Sequence, residues 1–326
     1  MVSGRDELNG VWEASFADVI DISDGIRAGR RVRRRRVMMR VAALLLLAGA
    51  VCVALFPLVL QSRTARSMGD VSDVSARTVA GWPYSRTADM LAEARAYNVR
   101  LAEEGQPVLG EAADPFADGG GGSRDSVASD DGDYQRVLDS GAGVMGTVSL
   151  PQIGVRLPIY HGTSEQVLAV GAGHLYGTSL PVGGEGTHAV ITGHRGLVDA
   201  MMFTRLDELD EGDFMYVEVL GSTLGYQVDR VSVIDPDDVS QLKIVPGEDR
   251  LTLMTCTPYG VNTHRLLVSG HRVDIPLPAP DPHDVRDVRA IGIRAFAASA
   301  IVGALSCLTI MRSMRAKRRI ARHAAV

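Results

Sequence analysis

The chain has 326 residues and a formal net charge of −5, and that charge is unevenly placed. Residues 1–40 and 312–326 hold 15 of the 34 lysines and arginines but only 6 of the 39 acids, leaving 19 basic against 33 acidic residues between them. The acidic middle argues against a nucleic-acid partner, since phosphate binding requires a basic face.

The first predicted element is a membrane span. Arg30, Arg31, Arg33 to Arg36 and Arg40 lead into the nearly unbroken apolar run Val41 to Leu60, which contains Cys52. As a helix, that run has the length to cross about 30 Å of hydrocarbon. A cleaved secretory signal fits less well, because the region ahead is too long and no small-x-small site is evident after Leu60. An arginine run can bind nucleic acid, but one set against an apolar span reads as a topological signal. Residues 291–311 form a second apolar run, with Cys307 inside it and Arg294 able to snorkel to the interface. Arg312, Arg315, Lys317, Arg318, Arg319 and Arg322 follow it. By the positive-inside rule both basic tails are cytoplasmic, in a two-pass protein of the cell membrane. Residues 61–290 then lie on the extracellular face, where Cys256 has no disulfide partner within the chain.

Between the spans, residues 61–110 read as a helical segment, with Met90, Leu91, Ala94, Tyr97, Asn98 and Leu101 at helical spacing. Residues 111–133 include Gly119 to Gly122 and a Ser/Asp-rich tract too poor in apolar residues to pack, which predicts a mobile linker. From residue 134 to 275 the pattern changes to short β-type runs: Val144 to Leu150, Ile153 to Tyr160, His188 to Thr192, Phe214 to Leu220, Leu224 to Ile234, Leu251 to Cys256 and Leu266 to Val273. Gly, Pro, Asp and Ser clusters separate them, which predicts a mainly antiparallel sandwich or barrel of about 130 to 150 residues. Residues 276–290 are a linker to the second span.

Two motifs carry chemistry. In Thr252-Leu-Met-Thr-Cys256-Thr-Pro-Tyr-Gly-Val-Asn-Thr-His-Arg265, a cysteine ends an apolar strand, Pro258-Tyr259-Gly260 supplies turn chemistry, and an arginine opens the next strand. In Ala189-Val-Ile-Thr-Gly-His194-Arg-Gly196, a strand ends at a histidine flanked by glycines. The chain has 8 histidines, so it is this strand-end context that singles out His194. Cysteine-based acyl transfer needs a thiolate, a proton donor for the leaving amine and positive charge where the oxyanion develops. Cys256, His194 and Arg265 are the candidates for these parts. Asp235, Asp237 and Asp238 read as an acidic turn, and neither a metal nor a cofactor is expected.

Val155 to Thr163, Gly173 to Pro181, Val182 to His188, Thr192 to Gly196 and Thr255 to Arg265, in this order and spacing, resemble the class C, pilus-assembling sortases, a family of cysteine transpeptidases. The resemblance covers about Gly143 to Val273. It implies a mainly β fold: a closed eight-stranded β-barrel with an N-terminal helix and lid, here flanked by two transmembrane helices. It assigns His194, Cys256 and Arg265 to one catalytic groove, with Thr255, Tyr259 and His264 as groove-lining candidates. Asp114-Pro-Phe116 matches the lid of such sortases, so Asp114 is expected to pair with Arg265 and Phe116 to cover Cys256; Asp-Pro is also common in plain surface turns. The Gly-rich tract that follows would let a lid swing. The implied reaction cleaves a Leu-Pro-x-Thr-Gly-like signal between Thr and Gly through a thioester, then joins the acyl group to a lysine of the next pilin. The implied partners are pilin subunits and the lipid bilayer. A sortase that attaches proteins to cell-wall peptides and a non-catalytic pilin-binding scaffold are the alternatives. Ser269 departs from the family pattern, where many members carry arginine, and His161, His174, His188 and His271 read as loop-capping or buried polar groups.

Overall fold

The computed structural model describes residues 23–109 and 127–275, together with positions 292, 299 and 303. The expected lid residues Asp114 and Phe116, the linker 276–290 and the second span at 291–311 lie outside the described residues, apart from those three positions.

Helix α1 runs Ser23–Ala80 and contains the apolar run read as a span. Among the described residues it is the one helix long and apolar enough to cross a membrane. The sequence divides at Val59/Leu60 into two compact units. Within the second, the later part of α1 buries Met68, Ser72 and Val79. Arg156 holds this part by pairing with Asp73 at 2.6 Å and Glu218 at 3.2 Å. Helix α2, Tyr84–Glu103, brackets the helix expected from its apolar spacing. Its buried face is Ala94, Asn98 and Leu101, three and four residues apart as one face of a helix requires. Asn98 docks it: Nδ2 donates to the Leu180 carbonyl at 3.0 Å, and the Leu180 N–H donates to Oδ1 at 2.7 Å. The short helix α3, Gly132–Arg136, is capped by Asp131, whose carboxylate accepts from the Asp133 and Tyr134 N–H groups.

Eight strands follow, with a short helix α4 (Glu165–Val170) between the second and third: β1 Val144–Leu150, β2 Val155–His161, β3 Ala172–His174, β4 Thr187–Thr192, β5 Phe214–Val219, β6 Ser222–Ile234, β7 Asp249–Thr257 and β8 His264–Val273. They close into a barrel in the order β1-β2-β3-β4-β7-β8-β6-β5. Two neighbouring pairs, β2·β3 and β4·β7, are parallel, and the remaining pairs are antiparallel. β3 was not among the predicted strands; with three residues it is too short to show a period of two. The parallel β4·β7 pair sets Ala189 opposite Leu251 and Thr192 opposite Met254. It therefore brings the ends of the two motif-bearing strands to the same rim.

Alternation along each strand sorts side chains into two layers. Val148, Leu157, Ile191, Val217, Leu251, Leu253, Leu266 and Val268 belong to the main core cluster. Their sequence neighbours Val190, Met254 and Leu267 join Leu109, Leu175, Ile234 and Leu242 in a second cluster, on the other face of the sheet. Three histidines, His161, His174 and His188, are buried in polar niches. His174 Nδ1 lies 3.0 Å from the Tyr134 hydroxyl and Nε2 lies 2.8 Å from the Ser179 carbonyl. His161 sits between the carbonyls of Gly143 and Val137. His188 faces the Lys243 carbonyl at 2.9 Å and Thr252 Oγ1 at 2.7 Å, and Thr252 in turn meets Ser269 at 2.8 Å. The departure at Ser269 thus belongs to a hydrogen-bonded chain of uncharged side chains. His271 is instead exposed and faces Asp229 at 3.1 Å.

Candidate active site

Cys256 is the penultimate residue of β7 and Arg265 the second of β8; they are cross-strand partners. Directly opposed residues on adjacent strands project to the same side with Cβ atoms about 5 Å apart. Cys256 lies two residues beyond Met254, and Arg265 two before Leu267, so both emerge on the face of the second cluster, outside the barrel core. Both are almost fully covered, at 4% and 3% exposure. The turn between the strands holds the arginine: its Nη1 donates to the carbonyls of Asn262 and His264, each at 2.8 Å. That turn is closed by the Val261 and Asn262 N–H groups donating to the Pro258 carbonyl at 3.0 Å, as the Pro-Tyr-Gly sequence led one to expect.

His194 stands just past the end of β4, and its backbone is fastened to β7. The Gly193 N–H donates to the Met254 carbonyl at 3.1 Å, and Thr255 Oγ1 donates to the Gly193 carbonyl at 2.7 Å. On the other side, the Phe203 N–H donates to the His194 carbonyl at 3.1 Å. Gly193 must be glycine here, because a Cβ would lie 2.6 Å from the Phe203 ring. His194 therefore shares a rim with Cys256 and Arg265. Burial lowers its pKa below the usual imidazole value, with the Glu165 carboxylate acting in the opposite direction. The neutral imidazole is thus favoured near neutral pH.

The groove-lining expectations divide. Tyr259 is 60% exposed and its ring packs near Gly196, in the loop that carries His194. His264 is exposed, with Nδ1 2.9 Å from Thr263 Oγ1 and Nε2 3.5 Å from Asp235. Thr255 alternates with Cys256 and shares the inner side of β7 with Leu251 and Leu253; it is fully buried, and its hydroxyl anchors the Gly193 carbonyl. Asp235 and Asp238 make a turn, in which the Asp238 N–H donates to the Asp235 carbonyl and Asp238 accepts from Ser240. Among the described residues no cluster of three or more His, Cys, Asp or Glu could hold a metal ion.

Sequence reasoning passed over the supports of this rim. Arg195 bonds Thr257 at 3.1 Å and Asp207 at 2.6 Å, and Phe203 closes on Gly193 and His194. Arg195 and Thr257 lie inside the two motifs, each directly after a candidate catalytic residue, and could have been flagged by that adjacency. Asp207 and Phe203 carry no local signal, because only tertiary folding brings them in.

A closed barrel with a cysteine and an arginine paired across two strands, and a histidine on the neighbouring strand end, is the frame of a sortase. Residues 148–273 match the family model described as Sortase domain. The structure of a pilus-related sortase C of Group B Streptococcus is 42% identical, with a TM-score of 0.53, over 61% of this chain and 94% of that one. Sortase C-1 of Actinomyces oris is 45% identical, with a TM-score of 0.52, over 59% of this chain and 99% of that one. The chain belongs to the sortase family, in its class C branch. Curated relatives match over less of their length: Sortase D of Bacillus subtilis is 30% identical over 39% of this chain and 63% of its own, and Sortase A of Streptococcus agalactiae is 29% identical over 35% and 47%.

Proposed function

We propose that this chain is a membrane-anchored cysteine transpeptidase that polymerises pilins. The observation that carries the reading is the cross-strand pair of Cys256 and Arg265 with His194 on the adjoining strand end, in a chain similar to a pilus-related sortase C along nearly all of that chain. Cys256 Sγ, as thiolate, attacks the threonine carbonyl of a Leu-Pro-x-Thr-Gly-like signal. Arg265 holds the oxyanion that forms, or positions the substrate, and the Thr–Gly C–N bond breaks as His194 gives its proton to the departing glycine amine. A lysine amine of the next pilin then attacks the thioester; the C–S bond breaks, an isopeptide bond forms, the amine's surplus proton passes to the neutral His194, and the thiolate returns. Because burial disfavours the imidazolium, the proton-donating form of His194 is a minority near neutral pH.

In this reading Asp114 and Phe116 form a lid over Arg265 and Cys256. The run Val41 to Leu60 anchors the barrel, and residues 291–311 cross back, leaving both basic tails cytoplasmic and the catalytic domain on the extracellular face. The domain order is then 1–40 tail, 41–60 span, 61–110 helical segment, 111–133 lid and linker, 134–275 barrel, 276–290 linker, 291–311 span and 312–326 tail.

The test incubates the full chain in detergent micelles, as wild type and as Phe116→Ala, with a Leu-Pro-x-Thr-Gly peptide, and seeks a thioester on Cys256 by mass spectrometry. An adduct that lysine-bearing peptide resolves supports the proposal. No adduct from either form, together with intact pili in a Cys256→Ala strain, would leave only a scaffold.

A further inference from the structure

We infer that Arg195 is a positioning residue for this reaction, a forked clamp that fixes the His194 loop against the strand end carrying Cys256. The inference rests on the reading of Cys256 and His194 as the catalytic pair. Arg195 directly follows His194, and Thr257 directly follows Cys256. One arm of the guanidinium, Nη1, donates to Thr257 Oγ1 at 3.1 Å; the other, Nη2, pairs with Asp207 at 2.6 Å. Asp207 belongs to the 3-10 turn Leu206–Glu208, which follows the segment where the Phe203 N–H holds the His194 carbonyl. The fork thus ties together the residue after the proton donor, the residue after the nucleophile and the segment beneath both.

An ordinary surface ion pair would not look like this. The Arg195 side chain is 7% exposed whereas its partner Asp207 is 50% exposed, and Arg195 Nε is buried with no hydrogen-bond partner among the described residues. Burying a guanidinium with one donor unsatisfied is costly, so the arrangement is poorly suited to adding stability. What it supplies is geometry. The backbone bonds at Gly193 and His194 fix the loop upstream of and at the histidine, and the Arg195 fork is its side-chain tie to β7 downstream. Lysine could not replace it, because a single ammonium on a flexible stem lacks two divergent donors in one plane.

The test uses the full chain in detergent micelles and compares wild type with Arg195→Met, Arg195→Lys, Thr257→Val, Thr257→Ser and Asp207→Asn. Sorting-peptide kinetics, the pH profile of Cys256 alkylation by iodoacetamide and the thermal unfolding midpoint are read for each. Misplacement of the histidine loop lowers kcat roughly tenfold or more in Arg195→Met and Thr257→Val, with KM within about twofold because substrate contacts are unchanged. The alkylation profile shifts in the same variants, Thr257→Ser recovers most of the loss, and Arg195→Lys does not. Thr257→Val removes one hydroxyl at nearly constant volume and decides the question if Arg195→Met does not fold. Variants that lower the unfolding midpoint but keep wild-type kcat, KM and alkylation profile would make Arg195 purely structural and overturn the clamp. Full recovery by Arg195→Lys would also overturn it, since charge alone would then suffice. If wild-type chain forms no thioester, the proposed function itself fails and the positioning role falls with it.

Discussion

Cys256 and Arg265 meet because a hairpin with fixed register leaves them no alternative: Leu253 opposite Val268 and Thr255 opposite Leu266 point into the core, so the next pair outward must face the other way. His194 is tuned by two opposing influences, burial that lowers its pKa and the exposed carboxylate of Glu165 that raises it. Replacing Glu165 with glutamine removes only the second. The expected outcome is a His194 pKa displaced further downward, read by NMR titration of its ring protons, with the histidine-dependent limb of the activity profile moving to lower pH. A displacement upward, or none, would show that Glu165 does not act on this ring. For Cys256 the corresponding question is access. If the Asp114 and Phe116 lid operates, Phe116→Ala or Asp114→Ala speeds alkylation of Cys256 by a small thiol reagent, and unchanged rates in both would remove occlusion from the account.

Among the elements, those bounded by strong punctuation were legible in the sequence. Val144 to Leu150 is predicted and observed with the same ends because Gly143, at a φ of +78°, and Pro151 close it on both sides. The strand β3 and the two parallel pairs were not legible, since a three-residue strand has no period and partner choice is decided by chain crossings far apart in sequence. At Thr255, adjacency to Cys256 suggested a groove, while strand alternation sends the two side chains to opposite faces of β7. Helix α2 was legible as an amphipathic stripe, and Asn98 within that stripe marks its docking point. Asn98→Ala would strip both hydrogen bonds from the buried Leu180 peptide groups and is expected to destabilise the chain by roughly 2 to 4 kcal/mol. The neighbouring exposed Val99 (57% exposed) serves as the control, and its alanine variant should change stability by less than about 0.5 kcal/mol. Equal urea midpoints for the two variants would sever α2 docking from the Asn98 pair.

Over the whole molecule, the buried histidines make stability depend on pH in a definite direction. Burial is the first cause that lowers His174 and His188, both to about 4, against 6.5 for a solvated imidazole. Between those values the unfolded chain binds more protons than the folded one, so stability is fully present above about pH 6.5 and drains away as pH falls toward 4. The slope is at most about 1.4 kcal/mol per pH unit for each histidine. The excess of acids over bases between the tails acts the other way, because protonating carboxylates at low pH relieves their mutual repulsion. A raw acid-unfolding curve therefore mixes two opposite slopes, and the histidine part is isolated only by difference. His174→Gln and His188→Gln keep a polar side chain in each niche but cannot titrate. Both variants lose stability at pH 7 through imperfect hydrogen bonding, yet the difference between wild type and variant narrows as pH falls from 6.5 to 4, read from urea midpoints of the full chain across that window. A difference that stays constant with pH in both variants would mean that these histidines are not held neutral by burial and that the acid sensitivity of the fold lies elsewhere.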